Sequence, residues 1–154
     1  MVTRSLFKVL SLGLAMYAPV SLAATSIGVD LGYRGLSLRT SLDESTFVQA
    51  DIGSWWYYNG ISVGADYCKI YPRKKSSGNE PDIFYGLGAE VGTIALDERR
   101  SISVVGVRIP FGVSWDIKDT PLQIGAAAVP AIIIGPSWAG TSIGLSIPFR
   151  WRLE

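Results

Sequence analysis

Hydrophobic and polar residues alternate along most of the chain after the first 23 positions, as they do in β-strands with two different faces. No segment there keeps a 3.6-residue period, so no helix is predicted. The runs are rich in Val, Ile, Thr and aromatic residues, and turn-forming residues separate them. They predict eight strands, at Ser26–Tyr33, Gly35–Leu42, Thr46–Trp55, Gly60–Ile70, Ile83–Ile94, Ser101–Asp116, Leu122–Ile134 and Thr141–Arg152.

Each predicted strand has one apolar face and one face of glycine, serine and a charged residue. In the last strand Phe149 and Trp151 alternate with Arg150 and Arg152. A soluble barrel or sandwich packs the apolar face inward and leaves the polar face in water. A transmembrane barrel turns the apolar face to lipid and fills its interior with polar groups.

Three features favour the membrane arrangement. The polar faces carry many glycines and few Lys or Glu, whereas a solvated face is normally richer in charge. The strands run to about 10 residues, which is the length of a tilted membrane strand. Aromatic residues gather near strand ends, as interfacial girdles do. These aromatic residues are Trp55, Trp56, Tyr57, Tyr58, Tyr67, Tyr71, Phe84, Tyr85, Trp115 and Trp151.

The first 23 residues are predicted to be a secretory signal peptide. Arg4 and Lys8 precede a short apolar core, and small residues at Ser21 and Ala23 match the positions that a signal peptidase reads. Cleavage after Ala23 would leave one domain over 24–154. The alternative, an uncleaved membrane anchor, needs an apolar core of about 20 residues, and this core is shorter.

Composition limits the chemistry that the chain can perform. The 154 residues include no histidine, so histidine-dependent nucleophile pairs, general bases and zinc motifs are excluded. A single cysteine, Cys68, can form neither an internal disulfide nor a thiolate cluster, and it is predicted to fill space inside. A net charge of +1 gives no support for nucleic-acid binding. We therefore predict a protein that is not an enzyme and has no cofactor, metal or nucleic-acid partner.

The polar faces together predict a charged interior. An eight-stranded barrel is just wide enough for side chains to fill it, and arginine pairs well with carboxylates. Antiparallel pairing predicts that Arg39 lies diagonal to Asp51 and Arg108 diagonal to Glu90. We interpret the network as a rigid charged plug, with a narrow water or ion path as the alternative. Its members are Asp30, Arg39, Asp51, Asp66, Glu90, Arg108, Asp116, Arg150 and Arg152.

The signal segment, the eight alternating strands and the last strand from Ile147 to Leu153 resemble the small bacterial outer-membrane β-barrels of the OmpA and OmpX type. The resemblance implies an all-β, eight-stranded antiparallel up-and-down transmembrane β-barrel in the outer membrane. It also implies outer-membrane lipid and the barrel-insertion machinery as partners, the latter reading the final strand. Enzymatic barrels of similar architecture use a catalytic histidine, which this chain lacks.

From these observations we expect a monomeric outer-membrane barrel with a structural or envelope-integrity role. Two alternatives of other classes stay open. One is a narrow pore or channel through the charged interior. The other is an exported soluble barrel that binds an apolar ligand, as lipocalins do.

Overall fold

The computed structural model describes residues 25–54, 60–72, 80–97 and 100–153. Within these ranges the chain forms strands and no helix, and so offers no helix that could cross a membrane. The predicted signal peptide with its cleavage site at Ala23, the aromatic run 55–58 and most of the loop 72–81 lie outside the described residues. The strands are β1 (Thr25–Asp30), β2 (Gly35–Ser41), β3 (Thr46–Gly53), β4 (Ser62–Ile70), β5 (Asp82–Asp97), β6 (Arg100–Arg108), β7 (Phe111–Asp116), β8 (Leu122–Ile134), β9 (Ala139–Ser146) and β10 (Pro148–Arg152).

The strands form one antiparallel sheet that closes into a ring. Each of β1 to β4 pairs with the next strand in the chain, and β5 pairs with both β6 and β7. β8 pairs with β6 and β7 on one side and with β9 and β10 on the other. Finally, β10 pairs with β1, so the fold is barrel-like.

Two predicted strands are each divided by a proline. The predicted strand Ser101–Asp116 becomes β6 and β7 at Pro110, and Thr141–Arg152 becomes β9 and β10 just before Pro148. Proline has no N–H to donate, so it interrupts the hydrogen bonding between strands. The pairing register with β8 is the same before and after each break. β6 and β7 therefore follow each other as one interrupted strand, and so do β9 and β10. The ten strands therefore occupy eight positions around the ring.

The strands are staggered around the ring. A path can be drawn around the ring from Arg150 on β10 by stepping from each residue to its paired residue on the next strand. It ends at Gly140 on β9, ten residues before its starting point in the chain. With about 3.3 Å per residue and about 4.8 Å between strands, this stagger over eight positions corresponds to a tilt of about 41°. The path runs through Arg150, Gly28, Ser37, Asp51, Gly64, Glu90, Gly106, Ile133 and Gly140.

Side-chain burial separates an apolar outer surface from an interior that holds the buried charged residues. Ile143 is 69% exposed and Leu87 is 60% exposed, whereas Arg108 and Asp66 are each 1% exposed. The alternation in the sequence predicted this split of the faces. One aromatic residue departs from the prediction, because Phe84 is buried inside the ring rather than exposed at a strand end.

The turn between β2 and β3 is held by one aspartate. Asp43 accepts hydrogen bonds from the Thr46 side chain, from the backbone N–H and hydroxyl of Ser45, and from the Thr46 backbone N–H. These bonds favour the charged carboxylate and lower the pKa of Asp43 to about 2. Aspartate suits such a turn because its carboxylate can accept hydrogen bonds from the backbone N–H groups of the residues that follow it.

Candidate functional site

Arg108 lies at the centre of the interior and contacts three carboxylates. Its Nη2 donates hydrogen bonds to Asp51 at 2.9 Å and to Asp66 at 2.6 Å, and its Nη1 lies 3.7 Å from Oε2 of Glu90. All four side chains are at least 96% buried. One arginine therefore holds together acidic residues from three different strands, and the predicted proximity of Arg108 to Glu90 is confirmed.

Inward glycines make room for this cluster. A Cβ added to Gly64 would lie 2.7 Å from Cζ of Arg108, and one added to Gly106 would lie 2.8 Å from Oε1 of Glu90. Both distances are too short for real contacts. The absence of a side chain at Gly64 on β4 and at Gly106 on β6 therefore makes room for the long side chains of Arg108 and Glu90. The glycine-rich polar faces of the sequence predicted this.

Arg150 is attached to the same network through uncharged residues. Its Nε and Nη2 donate to the Ser37 hydroxyl at 2.9 and 2.7 Å, and Ser37 donates to Asp51 at 2.8 Å. Longer contacts of 3.4 Å join Arg150 to Gln49 and Gln123. The sequence analysis named only charged residues and missed these three. These three residues stand on the polar faces of their strands, and this position in the alternation could have identified them as members of the network.

Arg39 does not pair with Asp51, although the register places the two residues diagonally. The Arg39 guanidinium instead lies over the Phe47 ring, 3.6 Å from its centre, and Nη1 has no hydrogen-bond partner among the described residues. Asp51 is already occupied by Ser37 and Arg108. A cation over an aromatic face is favourable when both are shielded from water.

Asp30 is buried but has a local role outside the arginine network. It accepts hydrogen bonds from the backbone N–H groups of Gly32, Tyr33 and Ile147 and from the Ser146 hydroxyl. Because these bonds satisfy its carboxylate, Asp30 needs no arginine. It fastens the β1–β2 turn to the start of β10.

Asp116 and Arg152 lie at the end of the ring where β1 begins and β10 ends. Their side chains are 3.8 Å apart and are 48% and 42% exposed. Gln123 donates to Asp116 at 2.8 Å. These two predicted members of the interior network are therefore partly in contact with the surroundings and separate from the cluster at Arg108.

Apolar side chains fill the interior on both sides of the charged cluster. Cys68 is fully buried, as predicted, and packs in one group with Phe47, Phe84, Tyr33 and Val129. Phe47 and Phe84 meet edge to face with their centres 5.3 Å apart. A second group lies towards the β5–β6 hairpin. It consists of Ile94, Val104, Ala131 and Ile133.

Adding one methyl group at Gly64 tests how tightly Arg108 is held. The Gly64→Ala variant should be less stable by about 1–3 kcal/mol, because the new Cβ forces the guanidinium away from its carboxylates. Urea titration of the folded protein would measure the change. Gly140→Ala is the matched control, since its Cβ would meet only the Trp138 ring, at 3.3 Å. Equal stability of the two variants would contradict a fixed Arg108.

The site does not by itself identify a reaction or a family. In the described part of the chain, no group of three or more Cys, Asp or Glu side chains is arranged to hold a metal ion. Comparison of the chain with protein-family models, with curated proteins and with solved structures gave no match. Function is therefore inferred from the apolar outer surface of the ring and from the charged cluster inside it.

Proposed function

We propose that the protein is an eight-stranded transmembrane β-barrel of the bacterial outer membrane with a structural role in the envelope. The observation that carries the proposal is the outer surface. Among described residues, the outward-facing strand positions from Thr25 to Ala95 and from Ser101 to Arg152 include a single charge, Lys69. Water-soluble proteins rarely expose so continuous an apolar surface.

The apolar surface has the height that a membrane barrel needs. On β8 the outward side chains from Ile124 to Ile134 are apolar throughout. At a tilt of about 41°, ten residues climb about 25 Å along the axis of the ring, which equals the lipid-facing band of such barrels. The ring closure also leaves most backbone groups paired, which a hydrocarbon environment requires.

Exposed aromatic residues form a collar at the end of the ring where β1 begins and β10 ends. Tyr67, Tyr85, Trp115 and Trp151 are 37–58% exposed there. Lys69, the outward charge, lies at the same end and is paired with Tyr85 in the sheet. Aromatic rings and lysine side chains both favour the membrane interface, so this end suits the boundary of the bilayer.

The interior supports a structural role over a pore. Arg108 is held by three carboxylates, and the Phe47 and Phe84 rings lie in the apolar group on one side of it. A conducting path would have to displace these buried contacts. A soluble ligand carrier needs a polar exterior and an apolar cavity, whereas this ring has an apolar exterior and buried charges at its centre.

Gel mobility of the detergent-solubilised protein before and after boiling tests the membrane barrel. We expect the unheated protein to run at a different apparent mass, because a closed barrel resists unfolding by detergent until heated. The protein should also aggregate when detergent is removed. A single mobility at both temperatures, together with a monodisperse protein in plain buffer, would contradict the proposal.

Planar-bilayer recording tests the structural role separately. Folded protein should insert without discrete conductance steps, because its interior is filled. The Arg108→Ala variant serves as a comparison in which the central plug is weakened. Steps in the unmodified protein that change size in Arg108→Ala would show that the interior conducts and would replace the structural role by a channel.

A further inference from the structure

The carboxyl group of Glu90 lies inside the ring without a hydrogen bond. Glu90 is 3% exposed, and neither Oε1 nor Oε2 has a hydrogen-bond partner among the described residues. Its ion-pair contact, with Nη1 of Arg108, is 3.7 Å long, which is too far for a hydrogen bond. Burial of a charged carboxylate without hydrogen bonds is unfavourable. The position of Glu90 therefore suits a neutral carboxyl group better than a charged one.

The other buried acids differ from Glu90 because each accepts hydrogen bonds. Asp30 accepts them from three backbone N–H groups and a hydroxyl. Asp51 and Asp66 each accept one from Arg108 and another from an uncharged side chain. Hydrogen bonds donated to a carboxylate favour its charged form. Among these four acids, Glu90 is the one whose charge has no such support.

The buried charges are also unequal in number. In the part of the chain that the structure describes, the buried charged residues are Asp30, Asp51, Asp66, Glu90, Arg39, Arg108 and Arg150. These are four acids against three arginines. Arginine does not lose its proton in proteins, so the balance can be restored only on the side of the acids. One proton on one acid makes the two numbers equal, and a proton needs no cavity.

The groups around Glu90 do not supply a second cation. Arg108 lies on β6, and its Nη2 is already bonded to Asp51 on β3 and Asp66 on β4. Tyr33, in the turn between β1 and β2, also interacts with Glu90, but a tyrosine is uncharged near neutral pH. The strand β8, which pairs with β6, has no charged residue. Glu90 therefore shares one arginine with two acids that are bound more closely.

We propose that Glu90 binds a proton in the folded ring and is uncharged at neutral pH. Arg108 then faces two charged carboxylates and one neutral carboxyl group. The proton also gives Glu90 an O–H that can donate. Oδ1 of Asp66, on the strand paired with β5, is a buried acceptor that has no partner among the described residues. The inference goes beyond the proposed structural role, and it holds whether lipid or water surrounds the ring.

Infrared spectroscopy of the folded protein at about pH 7 tests for the proton directly. A protonated carboxylic acid has a carbonyl stretch that a carboxylate lacks. The unmodified protein should show this band, and Glu90→Gln should lose it. Asp66→Asn is the matched control and should keep the band, because Asp66 is charged when it accepts bonds from Arg108 and Gln49. A spectrum of the unmodified protein without the band would overturn the proposal.

The pH dependence of stability provides a second test. Above about pH 5 a glutamate in the unfolded chain is ionised, so the folded protein would hold one proton more than the unfolded chain. Stability then falls as pH rises. From about pH 5 to about pH 7, the unfolding constant of the unmodified protein divided by that of Glu90→Gln should rise about tenfold per pH unit. Urea titration at each pH would measure both constants.

Glutamine has nearly the shape of a protonated glutamate and cannot ionise. At pH 7 Glu90→Gln should therefore be at least as stable as the unmodified protein, whereas Asp66→Asn should be less stable. A ratio of unfolding constants that stays the same across the pH range would contradict the proposal. Failure of Glu90→Gln to fold where Asp66→Asn folds would contradict it as well. None of these outcomes bears on the mobility of the protein in gels, which tests the membrane barrel separately.

Discussion

Replacing Arg108 by methionine is expected to destabilise the folded protein by about 3–5 kcal/mol. Methionine replaces the aliphatic part of the arginine side chain but leaves Asp51, Asp66 and Glu90 buried together with no central cation. The cost is the unfavourable burial of uncompensated charge rather than the loss of a favourable pair. Urea titration followed by tryptophan fluorescence in detergent would measure it.

The same substitution elsewhere provides the control. Arg152→Met removes an arginine whose partner Asp116 is 3.8 Å away and about half exposed, so the expected loss is 0–1 kcal/mol. Neutralising the cluster as well, with Asp51→Asn, Asp66→Asn and Glu90→Gln, should restore much of the stability lost in Arg108→Met. Similar losses at Arg108 and Arg152, or no restoration, would show that the buried cluster is not the cause.

Placing an arginine on the middle of the outer surface is expected to cost about 2–4 kcal/mol. Ala89 lies midway along β5, is exposed, and is paired with Ala65 and Val107. On the proposed lipid-facing surface, the Ala89→Arg variant would introduce a cation into hydrocarbon without removing any large side chain. The free energy of unfolding in lipid vesicles is the appropriate measurement.

Ala95→Arg is the matched control for this prediction. Ala95 lies on the same strand and is also exposed, but it is close to the β5–β6 hairpin, two residues from Asp97, which pairs with Arg100. Its substitution should cost about 0–1 kcal/mol, because the charge can reach water. If the ring were soluble, both variants would behave as ordinary surface changes, and their equality would contradict lipid contact.

The sequence predicted the members of the candidate site better than their contacts. Alternation alone places Asp66 and Arg108 on the polar faces of their strands, and both are buried in the structure. Alternation cannot tell which of several inward residues meet across the ring, because that depends on the stagger of all the strands. For this reason Arg39 was expected near Asp51, whereas its guanidinium lies on Phe47.

The local pattern of the sequence determined the strands, their two faces and most of their boundaries, because side-chain direction alternates along any strand. It also determined that the chemistry of histidine is absent. The tertiary structure decided which faces point inward and how Arg108 is shared among three carboxylates. These features arise from closing the sheet with a ten-residue stagger, which joins residues far apart in the chain and which no local pattern encodes.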